Sequence, residues 1–249
     1  MTTKLGQSKI TNGLRVYAVG DIHGCLVELN TMINLITADL NQRPVADYRV
    51  IFLGDYQDRG PQSKSVVTLL MSLTQADPRF LCLRGNHDIA LPQFVYDPAR
   101  SGPGFFSNGG DTTLLSYGVR IEPGQFDGDQ VRLIQGFAKA VVNAAHLKFL
   151  MSLPYSMMIG DYFFCHAGIR PGVDFDKQSE DDLVWIRKPF LNHTKLYDKV
   201  IVHGHTALEE IDVRKNRINI DTRCYATGIL SCVVLEGKEH RFLQTQKSR

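Results

Sequence analysis

Three short loops of the chain are rich in carboxylate, imidazole and amide side chains. The loops read GDIHG at residues 20–24, GDYQDRG at residues 54–60 and RGNHD at residues 84–88. They supply one set of polar residues: Asp21, His23, Asp55, Asp58, Asn86, His87 and Asp88. Side chains of these types can bind metal ions and transfer protons. The alternative is that Asp and Asn occur next to glycine only because they tolerate the backbone angles of turns. Three such loops in one chain favour a metal-bearing active site instead.

The spacing of the ligand types suits a pair of divalent cations. Asp21 and His23 are one residue apart, so both can hold one cation, and Asp55 is placed in the same way in the second loop. This nitrogen and oxygen set favours manganese, iron or zinc over soft copper or calcium. Further ligand types come from Asn86, His166 and His205. They suffice for a second ion if Asp55 bridges the pair, and two such metals can clamp a phosphate and generate hydroxide for in-line attack.

The elements that position these loops alternate between strand and helix. Runs of β-branched and apolar residues predict strands at 14–19, 49–53 and 80–83, directly before the three loops. Apolar positions three and four residues apart predict helices over 26–40 and 63–74. Later strands are predicted over 162–165, 200–202, 218–220 and 230–235. The pattern indicates an α/β fold with its ligands at the carboxyl ends of the strands.

Two segments have a different character. Residues 1–13 are polar and end in a turn dipeptide, so we expect a loose leader or an edge hairpin. Residues 92–150 are first rich in glycine, proline and aspartate and then helical from about 130 to 151. We expect this insert to form a cap over the loops within a single domain spanning 1–249. In it, Asp111 is expected to cap a helix, and residues 157–159 are expected to fill the core or the cap.

Composition excludes several classes of function. The chain has 249 residues, 43% of them hydrophobic, and a net charge of +2 with scattered basic residues. We therefore expect one large core and no nucleic-acid partner. Neither a membrane span nor an export signal is evident, so a cytoplasmic protein is expected. The five cysteines lack C-x-x-C spacing and predict buried free thiols.

Taken in order, the motifs resemble the phosphoprotein phosphatase branch of the calcineurin-like metallophosphoesterases. That branch shows GDxHG, GDxxDRG and RGNH followed by an acid, then two later histidines, and the resemblance runs from Gly20 to about Gly237. It implies a central β-sandwich flanked by helices. By resemblance, one metal would be held by Asp21, His23 and Asp55. The second would be held by Asp55, Asn86, His166 and His205.

The resemblance also implies roles in catalysis. His87 would act as the general acid, held by Asp58, while a metal-bridged hydroxide attacks phosphorus. Arg59 and Arg84 follow the phosphate-binding positions of the family, and Arg187 is similar to a third arginine there. His166 alone could be a packed core histidine, and His203 could exchange roles with His205.

The motifs favour a serine/threonine protein phosphatase of bacterial type, acting on a phosphorylated protein or a small phosphoester. Manganese is the expected cofactor, with iron or zinc as alternatives. The nearest rival is a symmetrical diadenosine tetraphosphate hydrolase, since those enzymes often show GNHD, although they commonly carry glutamine in place of His23. Phosphotyrosine is another candidate substrate, and a catalytically silent binding module is a different class of answer. The sequence predicts no oligomeric state.

Overall fold

The chain forms two five-stranded sheets and a set of helices that cover them. The structure, a computed structural model, describes residues 2–121 and 126–247. Residues 122–125, which belong to the predicted insert, lie outside the described residues. The strands are β1 Leu14–Val19, β2 Asp47–Phe52, β3 Phe80–Cys82, β4 Ser156–Ile159, β5 Tyr162–Cys165, β6 Val200–His203, β7 Asp212–Val213, β8 Arg217–Asn219, β9 Ser231–Glu236 and β10 Glu239–Gln244. The helices are α1 Leu26–Gln42, α2 Ser63–Ala76, α3 Asn86–Tyr96, α4 Pro98–Ser107, α5 Gly110–Ser116, α6 Gly128–Val141, α7 Ala144–Ser152, α8 Glu180–Trp185, α9 Lys188–Leu191 and α10 Cys224–Thr227.

Both sheets are mixed and are parallel at their centres. The first has the order β10-β9-β1-β2-β3, with β1, β2 and β3 parallel to one another. The second has the order β4-β5-β6-β8-β7, with β5, β6 and β8 parallel. The residues that follow each parallel strand therefore lie at the carboxyl edge of its sheet.

The two sheets pack face to face, because alternate side chains of each strand form an apolar face that must be buried. Val16 and Ala18 of β1 are buried in one apolar cluster with Phe164 of β5 and Val202 of β6. Because successive side chains of a strand point to opposite faces, Tyr17 and Val19 belong instead to a second cluster formed with the helices. A third cluster covers the outer face of the second sheet. The predicted α/β class, with a central sandwich flanked by helices, is confirmed.

Most strands and the first two helices agree with their predicted positions within two residues, whereas the insert does not. The glycine-rich and proline-rich half of the insert is helical, because Pro98 occupies the first position of α4, where a missing N–H costs nothing, and the rings of Phe94 and Phe105 stack at 4.7 Å. The expected helix at 130–151 is two helices, since Asn143 caps α7 by accepting from the backbone N–H of Ala145. The helix start expected at Asp111 is also wrong: Gly109 precedes α5 in the left-handed conformation.

Two smaller expectations need correction. Residues 157–159 belong to β4, where Met157 and Ile159 pack against the cluster between the sheets as expected but Met158 is exposed. The last strand, β10, was not predicted and pairs with β9. The leader is not loose, because Ser8 and Ile10 are fully buried. All five cysteines are buried free thiols, as predicted. In the described ranges no helix is long and apolar enough to cross a membrane.

A buried charge network ties the two ends of the chain together. Asp39 of α1 accepts hydrogen bonds from Tyr17 at 2.5 Å, from Arg241 of β10 at 2.5 Å and from Arg15 at 3.2 Å. Arg15 also pairs with Glu236 of β9 at 2.8 Å. Although burial raises the pKa of Asp39, these donors outweigh burial and hold its pKa below the usual value. The network fixes β1 between α1 and the C-terminal hairpin.

We predict that Asp39→Asn destabilises the protein by about 2–3 kcal/mol at pH 7, because the buried Arg15 and the partly buried Arg241 both lose a carboxylate partner. The folded-state pKa is lowered, so this stabilisation is present above about pH 4 and is lost as the pH falls through the lowered value. Urea unfolding of the variant and the wild type at pH 7 and pH 3 measures the difference, which must shrink at pH 3. Asp47→Asn, at an exposed pair with Arg49, is the control with a much smaller effect; equal effects would contradict the prediction.

Candidate active site

The predicted site residues meet where the carboxyl edges of the two sheets touch. The backbone approaches closely there: a Cβ on Gly54 would lie 2.5 Å from the nitrogen of Gly85 and 3.0 Å from Nδ1 of His166. A Cβ on Gly204 would lie 1.9 Å from Oδ1 of Asp21. Since β1, β2 and β3 belong to one sheet and His166 and Gly204 follow strands of the other, glycine at these positions lets both sheets contribute to one site.

Asp55 lies at the centre of the site, between two groups of ligand atoms. One group is formed by His23, Asp55 and His87, and the other by Asp55, His166 and His205. Within each group the candidate ligand atoms lie within 4.8 Å of one another, and all five residues are buried. The shared carboxylate is the arrangement that a pair of bridged cations requires.

The remaining two predicted metal ligands border these groups. Asn86 is the first residue of α3, and its Oδ1 lies 3.0 Å from Nε2 of His166. Asp21 accepts hydrogen bonds from the backbone N–H of His205 at 3.1 and 3.3 Å. The structure thus brings all six predicted ligands together, with His87 rather than Asp21 in the tight group around His23; their assignment as ligands stays a prediction.

The backbone of the site is strained. Among the described residues, six that are not glycine have a positive φ: His23, Asp55, Asp58, Arg59, His205 and Arg223. The first five are predicted site residues. Such conformations cost about 1–3 kcal/mol each and persist only where the surrounding structure enforces them. This concentration of strain supports a functional role for the loops over the turn-chemistry alternative.

Hydrogen bonds fix the orientation of two of the histidines. Nδ1 of His23 lies 2.8 Å from the carbonyl oxygen of Gln57, and Nδ1 of His166 lies 3.1 Å from that of Leu53. An imidazole that donates Nδ1–H to a carbonyl presents its Nε2 lone pair on the other side, as metal-ligating histidines commonly do. Both Nε2 atoms face Asp55, at 3.4 and 3.3 Å. The donor set therefore fits divalent cations at this place.

The pKa shifts of the buried site residues also favour the binding of cations. Burial raises the pKa of Asp21 well above its usual value, and the neighbouring carboxylate of Asp221 adds to the shift. Burial lowers the pKa of His166, but the charges of Asp55 and Asp21 outweigh it and raise the pKa to about 9. Burial lowers the pKa of His205 to about 2, so that imidazole is neutral, the form that binds metal. Clustered carboxylates of this kind attract positive charge.

His87 and Asp58 form the pair predicted for proton transfer. Nδ1 of His87 lies 2.7 Å from Oδ2 of Asp58, and both side chains are buried. Burial acts to lower the pKa of His87, but the charge of Asp55 and the hydrogen bond with Asp58 outweigh it and raise the pKa. A protonated imidazole with its Nε2–H toward the cluster can donate a proton to a leaving group.

The insert supplies a residue that the motifs did not reveal. Thr113 of α5 is fully buried, donates to Oδ1 of Asp58 at 2.6 Å and accepts from the Asp58 backbone N–H at 2.8 Å. The hydroxyl of Ser63 lies 3.1 Å from Thr113 Oγ1. Thr113 thus orients the partner of the proposed acid. A lone threonine in a glycine-rich segment gives no sequence signal for this role.

Two acidic residues near the metal groups were also not assigned from sequence. Asp88 accepts from the backbone N–H groups of Gly85, Asp55 and Tyr56 at 2.8–2.9 Å. It therefore joins the second and third loops. Asp221 is buried beside Asp21. Its position directly after a predicted strand, like that of Asp21, was a signal that could have found it.

The three predicted phosphate-binding arginines lie in different surroundings. Arg59 has one guanidinium nitrogen 3.2 Å from Nε2 of His87 and stacks over the Tyr225 ring at 4.7 Å. Arg187 is exposed and donates from Nε to Nε2 of His205 at 3.1 Å. Arg84 instead donates to the hydroxyl of Tyr155 at 2.7 Å and to the carbonyl of Met151. The structure brings Arg59 and Arg187 to the site and turns Arg84 toward α7; the role of each stays a prediction.

Comparisons with known proteins place this geometry in context. A family model described as calcineurin-like phosphoesterase matches residues 14–228. The chain is 25% identical over 239 residues to a protein of Anoxybacillus flavithermus named bis(5'-nucleosyl)-tetraphosphatase PrpE, asymmetrical, with 86% of this chain and 88% of the relative covered.

Two further comparisons are more restricted. The chain is 38% identical over 78 residues to a protein of Methylococcus capsulatus named bis(5'-nucleosyl)-tetraphosphatase, symmetrical, with 31% of this chain and 25% of that relative covered. A solved structure of a protein provisionally described as a diadenosine tetraphosphatase superposes with a TM-score of 0.64 at 22% identity. It covers 94% of this chain and 95% of the other, and at that identity it supports the fold.

We predict that Thr113→Val lowers kcat by about tenfold, because the buried Asp58 carboxylate loses a hydrogen-bond donor and no longer orients His87. Thr113→Ser keeps the hydroxyl and is the matched control. Steady-state kinetics with a phosphoester substrate, together with the metal content of each protein, measures the effect. Equal kcat in the valine and serine variants would show that the hydroxyl does not act through Asp58.

Proposed function

This chain belongs to the calcineurin-like phosphoesterase family and is a metal-dependent phosphoester hydrolase, and we propose that its substrates are dinucleoside tetraphosphates. The observation that carries the proposal is the agreement of a complete two-group site around Asp55 with a relative of that name aligned over most of both chains. This choice replaces the serine/threonine phosphatase favoured by the motifs with the substrate class of its nearest rival, although that rival was the symmetrical hydrolase. Because the relative aligned over most of its length is named asymmetrical, the expected products are a nucleoside triphosphate and a nucleoside monophosphate.

Each part of the site has a task in such a hydrolysis. Asp21, His23, Asp55, Asn86, His166 and His205 would hold two divalent cations. When bound, these ions would neutralise phosphate charge and lower the pKa of a water molecule. A guanidinium fork binds phosphate oxygens bidentately, so Arg59 orients the phosphate beside His87. The strained loop conformations at Asp55 and Arg59 are enforced by the surrounding structure, so both groups are already in place before the reaction.

His87 donates a proton from Nε2 to the leaving oxygen, while Asp58 stabilises the imidazolium and fixes its tautomer. How much this donation matters depends on the leaving group. A nucleotide phosphate leaves as a weak base and needs little protonation, whereas the alkoxide of a serine is a strong base. The same residue therefore contributes less to cleavage of an anhydride than to cleavage of an alkyl phosphate.

We predict that His87→Asn lowers kcat for a phosphoserine peptide by about 10²–10⁴-fold and for diadenosine tetraphosphate by a smaller factor, with metal content unchanged. Rates for both substrates and elemental analysis of the purified variant provide the measurement. A variant that remains fully active on the peptide would remove the acid role.

We predict that protein stripped of metal hydrolyses diadenosine tetraphosphate at a negligible rate and that adding Mn²⁺ restores activity, because no side chain of the site supplies a substitute for the cations. Parallel reconstitution with Zn²⁺ and Fe²⁺ ranks the metals. Equal rates before and after stripping would contradict the enzyme assignment.

The substrate proposal is tested with a panel of compounds on the manganese-loaded protein. We expect kcat/KM for diadenosine tetraphosphate to exceed that for phosphoserine, phosphothreonine and phosphotyrosine peptides by at least tenfold. Chromatography of the products distinguishes the two cutting positions, since symmetrical cleavage gives two nucleoside diphosphates. If kcat/KM for any of the peptides exceeds that for diadenosine tetraphosphate, the protein is a protein phosphatase and the substrate proposal is wrong.

A further inference from the structure

A cavity of about 230 Å³ opens directly beside the proposed acid. Its catalytic end is formed by Asn86 and His87, and its floor by the following turns of α3. The rest of its lining comes from the insert helix α4 and from α8. A substrate larger than one phosphate can therefore extend from the metal groups into this cavity.

Trp185 forms part of the cavity lining and presents an aromatic surface. Its side chain is 51% exposed, whereas Val184 and Ile186 on either side are buried and anchor this segment. The edge of the indole contacts the His205 ring, with centroids 5.9 Å apart and planes at 88°. A single exposed aromatic residue needs no explanation on a protein surface, but this one lies on a cavity that begins at the catalytic residues. An indole held in this way can stack on a planar ring.

Arg100 of α4 is the basic residue in the lining of the same cavity. The side chain is exposed, and no hydrogen bond or ion pair joins it to any residue in the ranges 2–121 and 126–247. Other basic residues near the cavity are already engaged: Arg187 with His205, and Arg170 with Asp182 at 2.6 Å. The Arg100 guanidinium is thus available for an anion.

The cavity lining is mixed in charge. Asp181 lies on the same short helix as Trp185 and lines the cavity. A carboxylate there disfavours phosphate and suits an uncharged ring with hydrogen-bond donors. Arg100 and the catalytic residues favour phosphate. An occupant that carries both a polyphosphate and a neutral planar base matches this lining.

Resting on the proposed function, we propose that this cavity binds one nucleotide half of the dinucleoside polyphosphate, with the base stacked on Trp185 and a chain phosphate on Arg100. These two residues set substrate class and do not perform the chemistry. A phosphopeptide would offer neither the base nor the additional phosphates that they recognise.

The chain contains one tryptophan and nine tyrosines, so fluorescence excited at the long-wavelength edge of the tryptophan band, where tyrosine absorbs little, reports on Trp185. We expect adenosine monophosphate added to the manganese-loaded protein to quench this fluorescence saturably, since the base stacks on the indole. Ribose 5-phosphate, which has the phosphate and the sugar but no base, should leave it unchanged. Equal quenching by both compounds, or none by adenosine monophosphate, would overturn the proposal.

Steady-state kinetics distinguish the role of Trp185 from that of Arg100. Trp185→Ala should raise KM for diadenosine tetraphosphate about tenfold or more, with a much smaller change in the inhibition constant of tripolyphosphate, which lacks a base. Trp185→Phe should restore KM to within about threefold, because it keeps an aromatic face. Arg100→Ala should raise both constants. Phe137→Ala, at an aromatic residue of α6 that is 55% exposed and outside the cavity, is the matched control and should change neither.

The outcomes distinguish this inference from the proposed function. If the wild type hydrolyses diadenosine tetraphosphate but Trp185→Ala leaves KM unchanged, the cavity assignment is wrong and the proposed function stands. If the wild type does not hydrolyse dinucleotides, the proposed function is wrong. In that case saturable quenching by adenosine monophosphate alone would still support a nucleotide site, and its absence would overturn it.

Discussion

The site depends on one buried carboxylate, that of Asp55, which faces histidines from both sheets. A carboxylate in a low-dielectric interior is costly unless donors and positive charge surround it. Asp55 receives the backbone N–H of His87 at 3.0 Å, and His166 lies 3.3 Å away. Burial acts to raise its pKa, but the nearby imidazoles outweigh it and hold the pKa well below the usual range. The same surroundings that keep Asp55 ionised are those that two cations would share.

The site in turn depends on the face-to-face packing of the two sheets. One sheet alone offers Asp21, His23, Asp55 and Asn86, and its partner offers His166 and His205. The two sets can meet only if the carboxyl edges of the sheets come together, which the glycines at the close contacts permit. Positive φ angles at five site residues are the conformational cost of bringing the loops so close.

The insert helices add side chains next to the site that the two sheets form. Its helix α5 places Thr113 on Asp58, and α4 places Arg100 on the cavity next to His87. Under the proposed function, the scaffold of strands and loops would carry the reaction, and the insert helices would shape the space for the rest of the substrate. Substrate preference can then change within the family by altering helices that do not carry metal ligands.

The sequence by itself determined most of the strands, the first two helices and which loop residues gather at one place, because a two-residue or 3.6-residue period and the loop motifs are local signals. It missed the helices in the first half of the insert, whose glycines and prolines favour loops locally but are helical where Phe94 and Phe105 pack against each other. It also could not place Thr113 on Asp58, turn Arg84 toward Met151, or set Trp185 and Arg100 on one cavity. Those contacts join residues far apart in the chain, and only tertiary packing decides which of them meet.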